Sequence, residues 1–322
     1  MLSLSLQLAA VAAHTPLNWA DLGLKTYLFH IDTRWGDFQL RWYSLAYLTG
    51  IIFAYWHVSK TLKAPGAPMA QRHADDLFFY STLGVILGGR LGYATFYTGG
   101  ETGLPSLWTQ PQELIKLWNG GMSFHGGLVG VVIAIGWITW RNKLSFLRVC
   151  DYVAVPVPMG MLFGRLANFI NGELWGQGAG PNVPWAMRFC DEGYNPDPLH
   201  YLCQSSGIAR HPSQLYEALL EGALLAAVML YLFWRTRARW RTGLLVGTFA
   251  FGIGAARFVV EFFRQPDAQL SEFAQTTGFS MGQWLTIPLM LTGLFFMVRA
   301  LRLPALGSAE AAPPPDSAPA AE

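Results

Sequence analysis

Seven stretches of this chain are apolar for long enough to approach a membrane crossing, and that pattern limits the possible folds more than any other feature. A helix needs roughly 20 apolar residues to traverse about 30 Å of hydrocarbon. The stretches are Trp42 to Val58, Leu77 to Tyr97, Ser123 to Trp140, Tyr152 to Ile170, Leu215 to Trp234, Gly243 to Phe263 and Met281 to Val298. Pro156 and Pro158 interrupt the start of the fourth, and polar residues its end. Charged residues make up 13% of the chain, about half the share usual in soluble domains. The expected class is therefore an all-α membrane protein with the bilayer as its solvent. A net charge of +2 gives no global reason to expect a nucleic-acid partner. The first fourteen residues have no Lys or Arg before their apolar run and no convincing cleavage pattern, so they read as an extension of the chain.

Basic residues in short loops favour the cytoplasm. Lys60, Lys63 and Arg72 follow the first stretch, and Arg141, Lys143 and Arg148 the third. Arg235, Arg237, Arg239 and Arg241 follow the fifth, and Arg299 and Arg302 the seventh. Every alternate connection is basic, which predicts seven transmembrane helices with a periplasmic N-terminus and a cytoplasmic C-terminus. The expected organisation is a periplasmic extension over 1–41, a membrane body over 42–303, a periplasmic insert over 172–212 within it, and a disordered cytoplasmic tail over 304–322. Cys190 and Cys203 share the insert, where a disulfide between them is left open; no cysteine has metal-ligand spacing.

A rise of about 1.5 Å per residue gives each polar residue a depth. Arg90 and Arg257 fall thirteen and fourteen residues into their stretches, roughly 20 Å from the cytoplasmic end. Arg165, Asn168 and Asn171 approach the outer end of the fourth stretch, and His125 enters from that side. Tyr43, His211, Gln214, Glu217, Glu221, Glu261 and Arg264 fall at the same level. Within each set the residues recur at i+3 or i+4 and so line one helix face: Arg165, Asn168 and Asn171; Gln214, Glu217 and Glu221; Arg257, Glu261 and Arg264. Arginine at the middle of a membrane helix costs about 2.5–3.5 kcal/mol on insertion scales and usually faces a bundle interior. Taken alone, Arg257 with Glu261 reads equally well as an architectural ion pair. Arg90, among Gly84, Gly88, Gly89 and Gly92, and His125, beside Gly126, Gly127 and Gly130, read first as helix-packing segments. Convergence of several arginines, histidines and carboxylates on one level favours a site.

Guanidinium presents a planar fork of donors matched to phosphate oxygens, and a neutral imidazole accepts a proton near neutral pH. The set therefore suits departure of a phosphate group from a lipid. A transporter for an anionic substrate would use the same arginines, but here the polar residues stop in the outer half. A non-catalytic receptor would need no phosphate site.

Four segments and their order resemble the bacterial prolipoprotein diacylglyceryl transferases: Gly120–Leu128 (GGMSFHGGL), Gly164–Gly176 (GRLANFINGELWG), Arg210–Glu217 (RHPSQLYE) and Arg257–Asp267 (RFVVEFFRQPD). With Arg41-Trp42-Tyr43 and Gly88-Gly89-Arg90, the resemblance runs from about Tyr43 to Arg299. It implies an inner-membrane enzyme, with its site towards the periplasm, that moves the diacylglyceryl group of phosphatidylglycerol to the lipobox cysteine of a prolipoprotein signal peptide. A thioether forms and glycerol phosphate leaves, with no cofactor and no metal. On this resemblance His125 is the expected proton acceptor, and Arg165 and Arg257 the groups that hold the phosphodiester. Tyr43, Arg90, Asn168, Asn171, Glu173, Gly176, Glu261 and Arg264 are expected at the substrate, with Glu173, Glu261 and Asn168 steadying the arginines. His211, Gln214 and Glu217 are expected in support. Ile253 stands where the family often carries tyrosine, so no hydroxyl is expected from that position.

Overall fold

The computed structural model describes residues 16–33, 36–96, 111–115, 121–189, 208–265 and 276–306. Cys190, Cys203 and the tail from 307 lie outside the described residues. Helices dominate: α1 (Trp42–Thr61), α2 (Arg72–Phe96), α3 (Phe124–Arg141), α4 (Phe146–Ala154), α5 (Val157–Asn171), α6 (Ser213–Arg235), α7 (Leu244–Val260) and α8 (Met281–Arg302). Each of the seven apolar stretches overlaps these helices over most of its described part. α3, α6 and α8 are long and apolar enough to cross a membrane, and α4 with α5, bent by 42°, forms a fourth candidate. The bend follows from Pro156, which lacks an N–H and crowds the turn before it, while Pro158 is tolerated in the first turn of α5. On α8, Leu291 and Phe295 are each 62% exposed, an outward apolar face that suits lipid better than water. The chain is a multi-pass membrane protein.

The described residues fall into two compact units, one within 1–54, 155–235 and 247–297, the other within 55–154, 236–246 and 298–322. In the second unit α2 and α3 pack through glycines. A Cβ on Gly126 would lie 2.1 Å from the Gly88 carbonyl oxygen, and one on Gly130 would lie 2.0 Å from that of Gly84. Backbone meets backbone there, which only residues without side chains allow. Replacing Gly126 with valine should separate the two helices and lower the detergent-solubilised melting temperature by several degrees; an unchanged melting curve would show that the contact is slack. The start of α3 is secured by Ser123, whose Oγ accepts from Gly126 N at 3.2 Å while its own N–H donates to Gly89 O at 2.8 Å. The α7 start is closed by Asp151, whose carboxylate accepts from Gly243 N at 2.7 Å and Val246 N at 2.9 Å.

In the first unit a short strand β1 (Leu17–Asn18) pairs in parallel with β4 (Met187–Arg188), and β2 (Tyr27–Thr33) forms a hairpin with β3 (Gly36–Arg41). Trp19 joins Met187 and Phe189 in a small core backed by Leu24, Phe169 and Trp175. Its Nε1 donates to Phe169 O at 2.8 Å. Residues near the N-terminus and residues after α5 are thus woven together at the end of α5, a pairing absent from any local sequence pattern.

Candidate active site

Three elements of the first unit bring charge together. α5 supplies Arg165, α6 supplies Glu217 and Glu221, and the end of α7 with the turn after it supplies Arg257, Glu261 and Arg264. The two α6 carboxylates are each 1% exposed, and the guanidiniums of Arg165, Arg257 and Arg264 are 20%, 24% and 19% exposed. Arg165 Nη1 lies 2.9 Å from Glu217 Oε2, and its Nη2 lies 3.2 Å from Glu221 Oε2. Arg257 Nη1 takes the opposite oxygens, Glu217 Oε1 at 2.9 Å and Glu221 Oε1 at 3.6 Å. Its Nε faces Glu261 Oε2 at 3.4 Å, and Arg264 Nη1 faces Glu217 Oε1 at 3.7 Å. Two carboxylates are therefore locked between two guanidiniums, with a third guanidinium beside them.

This arrangement leaves donors to spare. Arg165 Nε, Arg257 Nη2, and Nε and Nη2 of Arg264 engage no partner among the described residues. The carboxylates form the buried layer and the guanidiniums the more open one, so the spare N–H groups suit an anion that brings its own acceptors. Three arginines meet three glutamates, so the arrangement is electrically balanced before any anion arrives.

Local geometry explains how α6 presents both carboxylates. Its middle, Ala218–Leu224, is a π-helical segment between the α-helical turns of Ser213–Glu217 and Leu225–Arg235. Such bulges re-aim side chains and are frequent at functional sites. Gly222 in this segment touches α5: a Cβ there would lie 2.7 Å from Leu162 Cα. Leu162 is three residues before Arg165, so the close crossing brings the α5 arginine over the α6 glutamates.

A second polar layer surrounds Glu173, just past α5. Asn168 Nδ2 and Asn171 Nδ2 both donate to Glu173 Oε1, at 2.9 and 3.1 Å. Gln214 Nε2 donates to Glu173 O at 2.7 Å. Leu174, the next residue, has φ of 58°, a left-handed conformation uncommon for a side-chain-bearing residue. Gly176 is wedged between backbones: its N–H donates to His211 O at 2.9 Å, and a Cβ would meet Phe263 O at 2.4 Å. Trp185 Nε1 donates to the Tyr216 hydroxyl at 2.7 Å, and that hydroxyl also hydrogen-bonds with His211 Nδ1 at 3.0 Å. Burial holds the His211 imidazole below the usual histidine range, which keeps it neutral at pH 7. The Tyr43 hydroxyl meets that of Tyr47 at 3.3 Å on α1.

Of the residues singled out from sequence, Arg165, Arg257, Glu217, Glu261 and Arg264 form the ionic layer, and Asn168, Asn171, Glu173 and Gln214 the amide layer. Glu173 was expected to steady the arginines; its Oε1 is instead taken by two asparagine amides, and Glu217 and Glu221 face the arginines. Glu221 had been placed on the right helix face but given no role. His125 and Arg90 lie in the second unit. Arg90 is buried there, its Nη1 donating to Gly121 O at 3.0 Å. His125 is exposed in the first turn of α3, edge-on to Phe124 at 5.8 Å.

Residues 30–299 match the family described as prolipoprotein diacylglyceryl transferase. A protein of Erythrobacter litoralis named phosphatidylglycerol--prolipoprotein diacylglyceryl transferase is 55% identical over 301 residues, covering 94% of this chain and 98% of its own length. Proteins of the same name from Zymomonas mobilis and Idiomarina loihiensis are 47% and 46% identical, each match covering 88% of this chain, with 93% and 95% of the relatives' lengths. With this breadth of match added to the helical membrane fold and the paired arginines, the chain belongs to the prolipoprotein diacylglyceryl transferase family.

Proposed function

We propose that this chain carries out the reaction its relatives are named for: transfer of the diacylglyceryl group from phosphatidylglycerol to the thiol of a prolipoprotein's lipobox cysteine. The observation that carries this reading is the locking of Arg165 and Arg257 onto the same two glutamates, with N–H groups left over for a phosphodiester. In the reaction the cysteine sulfur attacks the glyceryl carbon that bears the phosphate. A C–S bond forms, the C–O bond breaks with its electron pair going to oxygen, and glycerol phosphate departs. Arg165 and Arg257, helped by Arg264, take up the charge growing on that oxygen, a stabilisation often among the largest contributions to catalysis. The site needs no nucleophile of its own, because the sulfur arrives on the protein substrate.

A cysteine thiol has a pKa near 8.5 and attacks as thiolate, so it must lose a proton first. His125 is the proposed acceptor, directly or through water. His125→Asn should lower turnover by about 10²- to 10⁴-fold, and less at pH above the thiol pKa, where the proton is already gone. A variant that keeps most of its activity at neutral pH would return His125 to a packing role. Tyr43, Arg90, Asn168, Asn171, Glu173, Gly176 and Glu261 are proposed as substrate contacts or their supports, and His211, Gln214 and Glu217 as the shell behind them.

The alternating basic loops support seven spans with the N-terminus outside and the C-terminus in the cytoplasm, which sets the ionic layer towards the periplasmic side of the inner membrane. On that reading 42–303 is the catalytic body, with 1–41 and the 172–212 insert on its periplasmic side and 304–322 in the cytoplasm. One experiment tests the function directly: incubate purified protein in phosphatidylglycerol vesicles with a lipobox peptide, and weigh the peptide. A mass increase of one diacylglyceryl group on the cysteine is expected. Binding of the peptide without that mass, or movement of lipid without it, would replace the transferase reading with that of a receptor or a transporter.

A further inference from the structure

Gln214 is 0% exposed at the first turn of α6. Its Nε2 donates to Glu173 O at 2.7 Å, and that bond fixes the amide's orientation, because the flipped amide would set oxygen against oxygen. The remaining atom, Oε1, is buried and meets no donor among the described residues. Asn171 repeats the pattern: its Nδ2 is committed to Glu173 Oε1 at 3.1 Å, and its Oδ1 is buried with no donor. Two amides anchored on one residue thus each carry an unsatisfied acceptor. Native interiors pair nearly all such atoms, so each one calls for an explanation, and a donor arriving with a ligand is one.

Their place in the fold says what that donor accompanies. Gln214 precedes Glu217 by three residues on α6, about 4.5 Å along the helix. Asn171 follows Arg165 on α5, and the bonds to Glu173 bring the two amides to a common level beyond the ionic layer. A layer with spare donors is followed by a layer with spare acceptors. The first matches a phosphodiester, which phosphatidylglycerol shares with phosphatidylethanolamine and phosphatidylcholine, so the guanidiniums alone cannot tell one of these headgroups from another. Discrimination requires contacts beyond the phosphate.

We infer that Gln214 Oε1 accepts a hydrogen bond from a free hydroxyl of the glycerol headgroup and thereby selects phosphatidylglycerol among phospholipids. The inference rests on phosphatidylglycerol being the donor lipid, as proposed above. Glycerol fits this chemistry: it is neutral and presents two hydroxyl donors, one for Gln214 and one for Asn171. Ethanolamine would bring a cation towards Arg165, Arg257 and Arg264, and choline brings no N–H or O–H at all. A neutral carbonyl beside guanidiniums accepts from a hydroxyl without adding charge to a balanced cluster.

The test compares phosphatidylglycerol with phosphatidyl-1-propanol, which keeps the phosphodiester and the three carbons but lacks both hydroxyls. Transfer to a lipobox peptide is measured as kcat/KM for each lipid, with wild type and with Gln214→Leu. Wild type should favour phosphatidylglycerol by about ten- to a hundredfold, the size of effect expected when buried polar groups lose their partners. In Gln214→Leu that ratio should fall towards one, the loss on phosphatidylglycerol exceeding the loss on the propanol lipid. Should this variant not fold, Gln214→Met, which keeps the chain length and removes the acceptor, carries the same comparison. An equal fall on both lipids would make Gln214 a structural residue satisfied by water and overturn the inference, as would a wild type that treats the two lipids alike. A wild type inactive on both would overturn the donor-lipid reading instead.

Discussion

Arg165→Ala protein should insert and fold yet form no measurable thioether, with turnover reduced at least 10³-fold. Losing one donor to a developing oxyanion typically costs about 10²–10³ in rate, and this substitution removes more than one. Arg165 contributes its own spare N–H, and it also holds Glu217 Oε2 at 2.9 Å and Glu221 Oε2 at 3.2 Å. Freed of it, both buried carboxylates would bear harder on Arg257, whose remaining donors would turn inward. Arg257→Ala should match it in depth, since Arg257 closes the opposite side of the same carboxylates at 2.9 and 3.6 Å. The double variant should be little worse than either single one, because groups that act as a unit lose their effect together. Arg165→Lys should rescue poorly: a single ammonium cannot reach two carboxylates and a phosphate as a planar fork does. Transfer to a lipobox peptide, measured alongside circular dichroism in detergent, decides the matter. Wild-type turnover in a folded Arg165→Ala protein would remove the arginine from the mechanism.

Much of this site is visible in the sequence for a simple reason. Lipid tolerates so few charges that Arg165, Arg257, Glu217 and Glu261 stand out against their apolar neighbours, and spacing of three and four assigns each set to one helix face. The interruption at Pro156 and Pro158 was legible too, though not that it takes the form of a 42° bend between α4 and α5. Partnership across helices was not. Arg257 was first matched to Glu261, four residues away, whereas its shorter contact is with Glu217 on another helix, 2.9 Å against 3.4 Å. Which glutamate meets which arginine depends on the π-helical segment at Ala218–Leu224 and on the closeness allowed by Gly222, and neither follows from periodicity. Glu173 misled for a related reason. It adjoins the arginine helix in sequence, but a turn with left-handed Leu174 accompanies its bonding to Asn168 and Asn171.

Glu217→Ala should be the most destabilising single substitution in the ionic layer. Glu217 is the carboxylate that three guanidiniums face, at 2.9, 2.9 and 3.7 Å, and it is 1% exposed. Removing it leaves three cations with Glu221 and Glu261, and deleting one partner of a buried pair costs about 3–5 kcal/mol because the other charge stays behind. The expected readout is a lower melting temperature in detergent together with loss of transfer. Glu217→Gln separates the two contributions: it keeps the volume and one acceptor but shifts the cluster to a net positive charge. That variant should retain more stability than the alanine protein, while its freed guanidiniums hold the phosphodiester, and the product phosphate, more tightly. Glu221→Ala offers the internal control. Its arginine contacts are longer, 3.2 and 3.6 Å, and it does not engage Arg264, so its loss should cost less. Combining Glu217→Ala with Arg165→Ala should cost less than the two separate losses added together, since residues in one charge network couple. Additive losses, or a Glu221→Ala protein less stable than Glu217→Ala, would show that the carboxylates do not share the arginines as this geometry requires.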